Sequence, residues 1–205
     1  MSQLSTSEKQ PDRRARRRLQ RSNDVYEAAI ALFVERGYDA TTMDDIADRA
    51  DVARTSVFNY FPRKAAFLHE WIERRRRRAE TATLGLDDQP IAEILDSYLG
   101  ELAGINVDGR AEAAVLMPLT FHYVETGPTT VGPLGDELAA YVRRAAERGE
   151  IRPGVSPARV GALVASGYFA TVLQWLGAQP PPFDLRQELR QMLDIVLHGI
   201  APGIR

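Results

Sequence analysis

The chain of 205 residues contains no cysteine, which excludes disulfide bridges, thiolate zinc sites and cysteine nucleophiles. Its three histidines, His69, His122 and His198, are scattered, with no His-Glu-x-x-His or comparable ligand spacing. There is no Gly-x-Ser-x-Gly elbow and no phosphate-cradling glycine loop. Asp44-Asp45 and Asp87-Asp88 are adjacent pairs, which do not face one another on a helix and make poor acid/base partners. Catalysis therefore finds little support, and neither a metal nor a cofactor is expected. No segment alternates apolar and polar residues over a β-branched run, so no sheet is expected. Lysine is nearly absent: Lys9 and Lys64 are the only two. The N-terminal MSQLSTSEKQPDRRARRR carries charge without an apolar core and does not read as a secretory leader, so a soluble cytoplasmic protein is expected.

What is present is an uneven charge distribution. Net charge is −2, but residues 1–80 carry 17 Lys+Arg against 13 Asp+Glu, a balance of +4, while residues 81–205 carry 9 against 15, a balance of −6. A basic first part and an acidic remainder suggest that one part meets phosphate and the other does not. Within the basic part, TTMDDIADRADVARTSVFNYFPRK (41–64) is the most informative stretch. Thr41 or Thr42 suits a helix cap, and Met43, Ile46, Ala47 and Ala50 form the i, i+3, i+4, i+7 stripe of a buried face. Asp44 and Asp45 fall in the first turn, where the helix dipole favours negative charge. Asp51-Val52-Ala53 breaks the period. A second short helix from Arg54 turns Val57 and Phe61 inward and Arg, Thr, Ser and Asn outward. This is a helix-turn-helix layout, in which the second helix enters the DNA major groove.

The rest reads as helices. One is expected from about Pro11 to Arg36, stopped by Gly37, after a polar segment 1–11. Another starts near Arg63 behind Pro62 and continues to about Thr83. Beyond the boundary at Gly85 to Pro90, helices are expected at about 91–103, 109–125, 132–149, 157–177 and 184–199, with turns at Gly104 to Gly109, Gly127-Pro128, Gly149 to Pro157 and Ala178 to Pro182. The expected fold is all-α with about nine helices: a three-helix helix-turn-helix DNA-binding domain over 13–62, a connecting helix over 63–83, and a helical ligand-binding and dimerisation domain over 90–200.

Ala28-Ala29, Leu32-Phe33, Arg36-Gly37-Tyr38, Thr41 to Ala47, Val57 to Phe61 and Lys64 together resemble the N-terminal domain of TetR-type transcriptional regulators. The close resemblance covers roughly residues 13–70. It implies a phosphate contact at Thr42, base and backbone contacts from Arg54, Thr55, Ser56, Phe58, Asn59 and Tyr60, and a further phosphate contact at Lys64. The chemistry of these side chains agrees. Arg54 suits a bidentate pair with guanine and Asn59 one with adenine, each discriminating by about 1–3 kcal/mol. Thr55 suits a thymine methyl, and the Thr42, Ser56 and Tyr60 hydroxyls suit phosphate oxygens. Phe58 fits core packing as well as DNA contact. Asp51 stands where the family's turn commonly has Gly, and Asp tolerates a left-handed backbone better than most residues. Thr55 stands where Gly or Ala is common, which bears on how closely the helix approaches the bases.

Arg13, Arg14, Arg16, Arg17 and Arg18 read either as a basic arm for DNA or as a solvated helix start. Arg74 to Arg78 point all round a helix, solvated or paired with Glu70, Glu73 and Glu80. No residue between Arg159 and Asp184 is charged. The run's large apolar residues form a stripe with small residues beside it, which suits a subunit interface better than a membrane span. The resemblance implies that this helix and the last pair with their two-fold mates in a four-helix bundle. The interface residues are expected at Gly161, Ala165, Tyr168, Val172, Leu189, Leu193 and Val196. A ligand cavity is expected among the middle helices, with Met117, Phe121, His122, Tyr168 and Trp175 as candidate contacts and Pro118 opening space. Ordinary core packing is the competing reading for each. The expected partners are a palindromic double-stranded operator, a second copy of the chain and a small apolar or amphipathic effector, with no membrane. The rivals are a DNA-binding dimer without an effector and a helical enzyme using the cavity.

Overall fold

A computed structural model of the chain describes residues 13–123 and 132–200, excluding the side chains of 121–123 and 199–200. It divides into two compact units, Met1–Phe67 and Leu68–Arg205. The described residues form helices α1 (Arg13–Arg36), α2 (Met43–Arg49), α3 (Arg54–Tyr60), α4 (Lys64–Thr81), α5 (Ile91–Asp108), α6 (Arg110–Tyr123), α7 (Gly132–Glu147), α8 (Pro157–Leu176) and α9 (Leu185–Ile200), with no strand among them. The all-α class follows the periodicity. None of these helices is long and apolar enough to cross a membrane.

In the first unit, α1 buries Val25, Ala29, Leu32 and Phe33 against Ile46 and Ala47 of α2 and Val57 of α3. Aromatic rings close the centre: Phe61 stacks on Phe67 at 4.1 Å and Phe33 meets Phe67 edge-on at 6.1 Å. Gly37, at φ +88°, ends α1, and the buried Thr41 hydroxyl donates to its carbonyl at 2.8 Å. Between α2 and α3 the turn needs one left-handed residue, and Asp51 adopts it at φ 51°. The short polar side chain makes that conformation cheaper than it would be for most residues.

In the second unit, α5 runs through the core with Leu95, Tyr98, Leu99 and Leu102 buried. Its course differs from the expected stop at residue 103. The helix continues through Gly104 to Asp108, because Ile105 and Asn106 extend the buried face and Asn106 Nδ2 donates to the Leu102 carbonyl at 2.8 Å. Packing outweighs the roughly 1 kcal/mol helix penalty of Gly104. Pro118 lies inside α6 without ending it. The expected continuation of α6 to residue 125, the start of α1 at Pro11, the segment 1–11 and the Gly127-Pro128 turn lie outside the described residues. Helices α7 and α8 approach closely at Gly161: an added Cβ there would stand 2.3 Å from the Gly135 carbonyl oxygen and 2.6 Å from the Ala139 nitrogen.

Candidate nucleic-acid interface and inner cavity

Local hydrogen bonding builds the two-helix unit. Thr42 caps α2: its hydroxyl accepts from Asp45 N at 3.1 Å, while the Asp45 carboxylate accepts from Thr42 N at 2.7 Å and from the Thr42 hydroxyl at 2.6 Å. This reciprocal box satisfies donors that the first turn would otherwise leave open. The Thr42 hydroxyl bond, first, and the backbone bond hold the Asp45 carboxyl below its ordinary value. Val52 N donates to the Ala47 carbonyl at 3.1 Å, folding the chain back toward α3. Val57 then pins α3 to the core with no exposed surface.

That single anchor leaves most of α3 outward. Arg54, Thr55, Phe58 and Asn59 are exposed, Ser56 and Tyr60 half-buried, and Thr42 is exposed at the start of α2. Phe58 is 38% exposed, so its ring belongs to the surface and not to the core. Arg54 Nη1 reaches Asp44 Oδ2 at 2.9 Å, and its guanidinium lies 5.5 Å from the centre of the Phe58 ring. Exposure of both partners makes the ion pair weak, so Arg54 is oriented without being immobilised. Lys64 sits differently: its ammonium donates to the carbonyls of Tyr38 at 2.7 Å and Thr41 at 2.9 Å. A third, longer bond reaches Asp39 at 3.4 Å, and the ammonium lies 4.4 Å from the Tyr38 ring centre. Its three donors thus tie the start of α4 to the turn before α2.

In the second unit a partly open cavity of about 30 Å³ is lined by Trp71, Arg75, Leu102, Met117, Tyr168, Phe169 and their neighbours. It has room for about two waters. Its polar wall is a network: Arg75 Nη2 donates to Asn106 Oδ1 at 2.5 Å, and Asn106 Nδ2 donates to the Tyr168 hydroxyl at 2.9 Å. Trp71 lies under the Arg75 guanidinium at 4.2 Å, and its ring nitrogen donates to Glu112. Burial pushes the Tyr168 phenol up from its ordinary value. Met117 and Tyr168, expected on the cavity, are on it. Trp175 is buried elsewhere, with the Arg110 guanidinium 4.8 Å from its ring centre. The side chains of Phe121 and His122 lie outside the described residues.

Most of the expected interface residues are buried within the chain itself. Gly161, Ala165, Tyr168, Val172, Leu189 and Leu193 are buried by the chain's own helices, and Val196 is half-buried. The exposed residues of α8 include Leu163, Ser166, Ala170 and Leu173, and Ile195 is exposed on α9. Periodicity located the helix but could not tell which of its faces α7 covers. The arginine row resolves into specific pairs; those with Glu70 and Glu73 follow from local spacing, and those with Glu137 and Glu101 do not. Arg74 and Arg77 reach Glu70, Arg76 reaches Glu73 and Glu137, and Arg78 reaches Glu101, two of these carboxylates coming from other helices. Among the described residues no group of His, Asp or Glu could hold a metal ion.

A capped two-helix unit with a polar outward second helix, joined to an all-helical body with an inner cavity, is the build of helix-turn-helix regulatory proteins. Residues 25–71 match the family model described as bacterial regulatory proteins of the tetR family, and residues 69–199 match that of the C-terminal domain of TetR/AcrR family transcriptional repressors. The chain belongs to the TetR/AcrR family of transcriptional repressors. It is 30% identical over 111 residues to the "Probable acrEF/envCD operon repressor" of Escherichia coli K12, a match over 52% of this chain and 50% of that protein. The chain thus spans about half the length of the first curated relatives it matches. It is 23% identical over 189 residues to the A-factor receptor protein of Streptomyces griseus, covering 92% of this chain and 67% of the receptor. The crystal structure of Thermus thermophilus FadR, a TetR-family repressor in complex with lauroyl-CoA, superposes with a TM-score of 0.65 at 27% identity. That superposition covers 90% of this chain and 97% of FadR.

Proposed function

We propose that the chain is a homodimeric, sequence-specific DNA-binding repressor, released from a palindromic operator by a small apolar or amphipathic ligand. The observation that carries this reading is α3, anchored by Val57 alone and offering Arg54, Thr55 and Asn59 outward. In this reading residues 13–62 read DNA, 63–83 connect, and 90–200 dimerise and bind the effector. Arg54 and Asn59 address base edges, Thr55 and Phe58 make apolar contacts, and Thr42, Ser56 and Tyr60 bind phosphate. Lys64, whose ammonium is occupied by carbonyls, keeps the turn that presents Thr42 in place. Dimerisation falls to the exposed Leu163, Ser166, Ala170, Leu173 and Ile195. It sets the two α3 helices about one turn of DNA, roughly 34–36 Å, apart. A ligand that fits better in a wider-spaced state weakens DNA binding by its differential affinity for the two states. FadR's complex with lauroyl-CoA supplies precedent for an amphipathic effector.

The test is an operator selected from random duplexes and offered to the Arg54→Ala, Asn59→Ala double variant. Two bidentate contacts at about 1–3 kcal/mol each predict a loss of specific binding of roughly 30-fold or more, with the dimer intact. Unaltered binding defeats the assignment of α3. A second reading, a DNA-binding dimer without an effector, is favoured by the small volume of the cavity. A thermal-shift screen over apolar and amphipathic metabolites separates the two: a stabiliser that also releases operator supports the first, and none across diverse classes supports the second.

A further inference from the structure

The first two turns of α1 have no evident part in the fold. Its buried residues begin at Val25, and Arg13, Arg14, Arg16, Arg17, Arg18 and Arg21 are all exposed. Among the described residues none of these six forms an ion pair, although most other arginines of the chain do. Their placement is also electrostatically unfavourable. Arg13, Arg17 and Arg21 stand one turn apart on one line, as do Arg14 and Arg18, so like charges face each other at i, i+4. They crowd the positive end of the helix dipole, and the first turn holds no acidic residue. A helix start that buries nothing and repels itself has a physical rationale once an anion lies across it.

The structure gives that anion a place. Arg13, Arg14, Arg17, Arg18 and Arg21 line an open groove of about 900 Å³ whose far wall is Tyr60, the last residue of α3. The groove therefore adjoins the helix assigned to DNA, within the same compact unit. Its arginines lie outside the family match, which starts at residue 25. We propose that this arginine-lined groove is a second DNA site that takes the sugar–phosphate backbone of the same duplex beside the stretch read by α3. Its guanidinium groups recognise phosphate without reading bases. The inference rests on the DNA-binding reading above and adds a separate, sequence-independent contact to it.

The experiment uses the full chain, the selected operator and a shuffled duplex of equal length, followed by fluorescence anisotropy across a series of sodium chloride concentrations. Arg14, Arg17 and Arg18 are changed together to Gln, which keeps helix propensity, and in a companion protein to Lys, which keeps the charge. The plot of log K against log salt should flatten by about 0.9 for each phosphate that the Gln protein no longer neutralises. At near-physiological salt the Gln protein should bind both duplexes at least tenfold more weakly, with the preference for operator over shuffled duplex unchanged. The Lys protein should keep most of the slope. An unchanged slope and affinity in the Gln protein overturn the proposal while leaving the α3 assignment standing. Binding of the unaltered chain to phosphatidylglycerol vesicles that disappears in the Gln protein, with DNA binding unaffected, assigns the groove to membrane and also overturns it. An unaltered chain that binds neither duplex sinks the DNA-binding reading together with this one.

Discussion

Replacing Gly161 by alanine places a methyl group where α7 already stands. The added carbon would lie 2.3 Å from the Gly135 carbonyl oxygen, 2.6 Å from the Ala139 nitrogen and 2.9 Å from its Cα. Ordinary contact begins near 3.4 Å, so α7 and α8 must part by about 1 Å, and backbone atoms cannot rotate aside as a side chain can. Overpacking of this kind costs about 1–3 kcal/mol, and opening the seam loosens the packing around it. With backbone at 2.3 Å the upper part of that range, roughly 2–3 kcal/mol, applies; alanine returns up to about 1 kcal/mol of helix propensity, leaving a net loss of roughly 1–2 kcal/mol. For a chain of this size that lowers Tm by about 2–8 °C. Gly167 provides the control on the same helix. There the added Cβ meets the tip of Met192, with Sδ at 2.9 Å, and that side chain has rotamers to spare. Gly167→Ala should stay within about 1 kcal/mol of the parent. Differential scanning calorimetry at two protein concentrations is the assay. Equal Tm values for the parent and Gly161→Ala, or an equal drop for both variants, refute the reasoning. A drop confined to low protein concentration would instead place Gly161 between subunits.

Asn106→Ala removes the acceptor of Arg75 and the donor to Tyr168 in a buried network. At about 1–3 kcal/mol for each of the two groups deprived of its bond, urea denaturation should show a loss of roughly 2–6 kcal/mol, and a loss under 1 kcal/mol would contradict the network's role. Acid should destabilise the fold through carboxylates with lowered pKa. Asp96, held down chiefly by its hydrogen bonds from Arg190, and Asp45, held down by Thr42, lie below the unfolded value of 3.8. The stability they add is fully present above that value and is lost as pH falls through their lower folded values. In a Tm-against-pH series, Asp96→Asn should therefore flatten the fall below about pH 4. Glu137 runs the other way: burial raises its pKa from 4.5, so its contribution declines as pH rises from there through its folded value.

Local signals carried the first unit. Thr42 and Asp45 form their cap within four residues, Asp51 takes the left-handed turn that its short polar side chain tolerates, and Gly37 stops α1. Each depends on neighbours in sequence, so periodicity and turn chemistry suffice to find it. The second unit is less legible, because its decisions are made between distant helices. Gly104 looks like a stop until Ile105 and Asn106 find a core to enter. Gly161 gives no sign in the sequence of the close approach of Gly135 and Ala139 from α7. Arg75 is one of five identical arginines, and only its position over Trp71 and beside Asn106 separates it from the solvent-facing members of the row.

Whether α3 reads DNA as one of a two-fold pair is tested most directly by selecting bound sequences from a random duplex library with the full chain. The expected product is a palindrome whose half-sites are centred about one helical turn apart, bound by two protomers and released by Arg54→Ala with Asn59→Ala. No enriched sequence, or an enriched sequence bound equally well by the double variant, would contradict it.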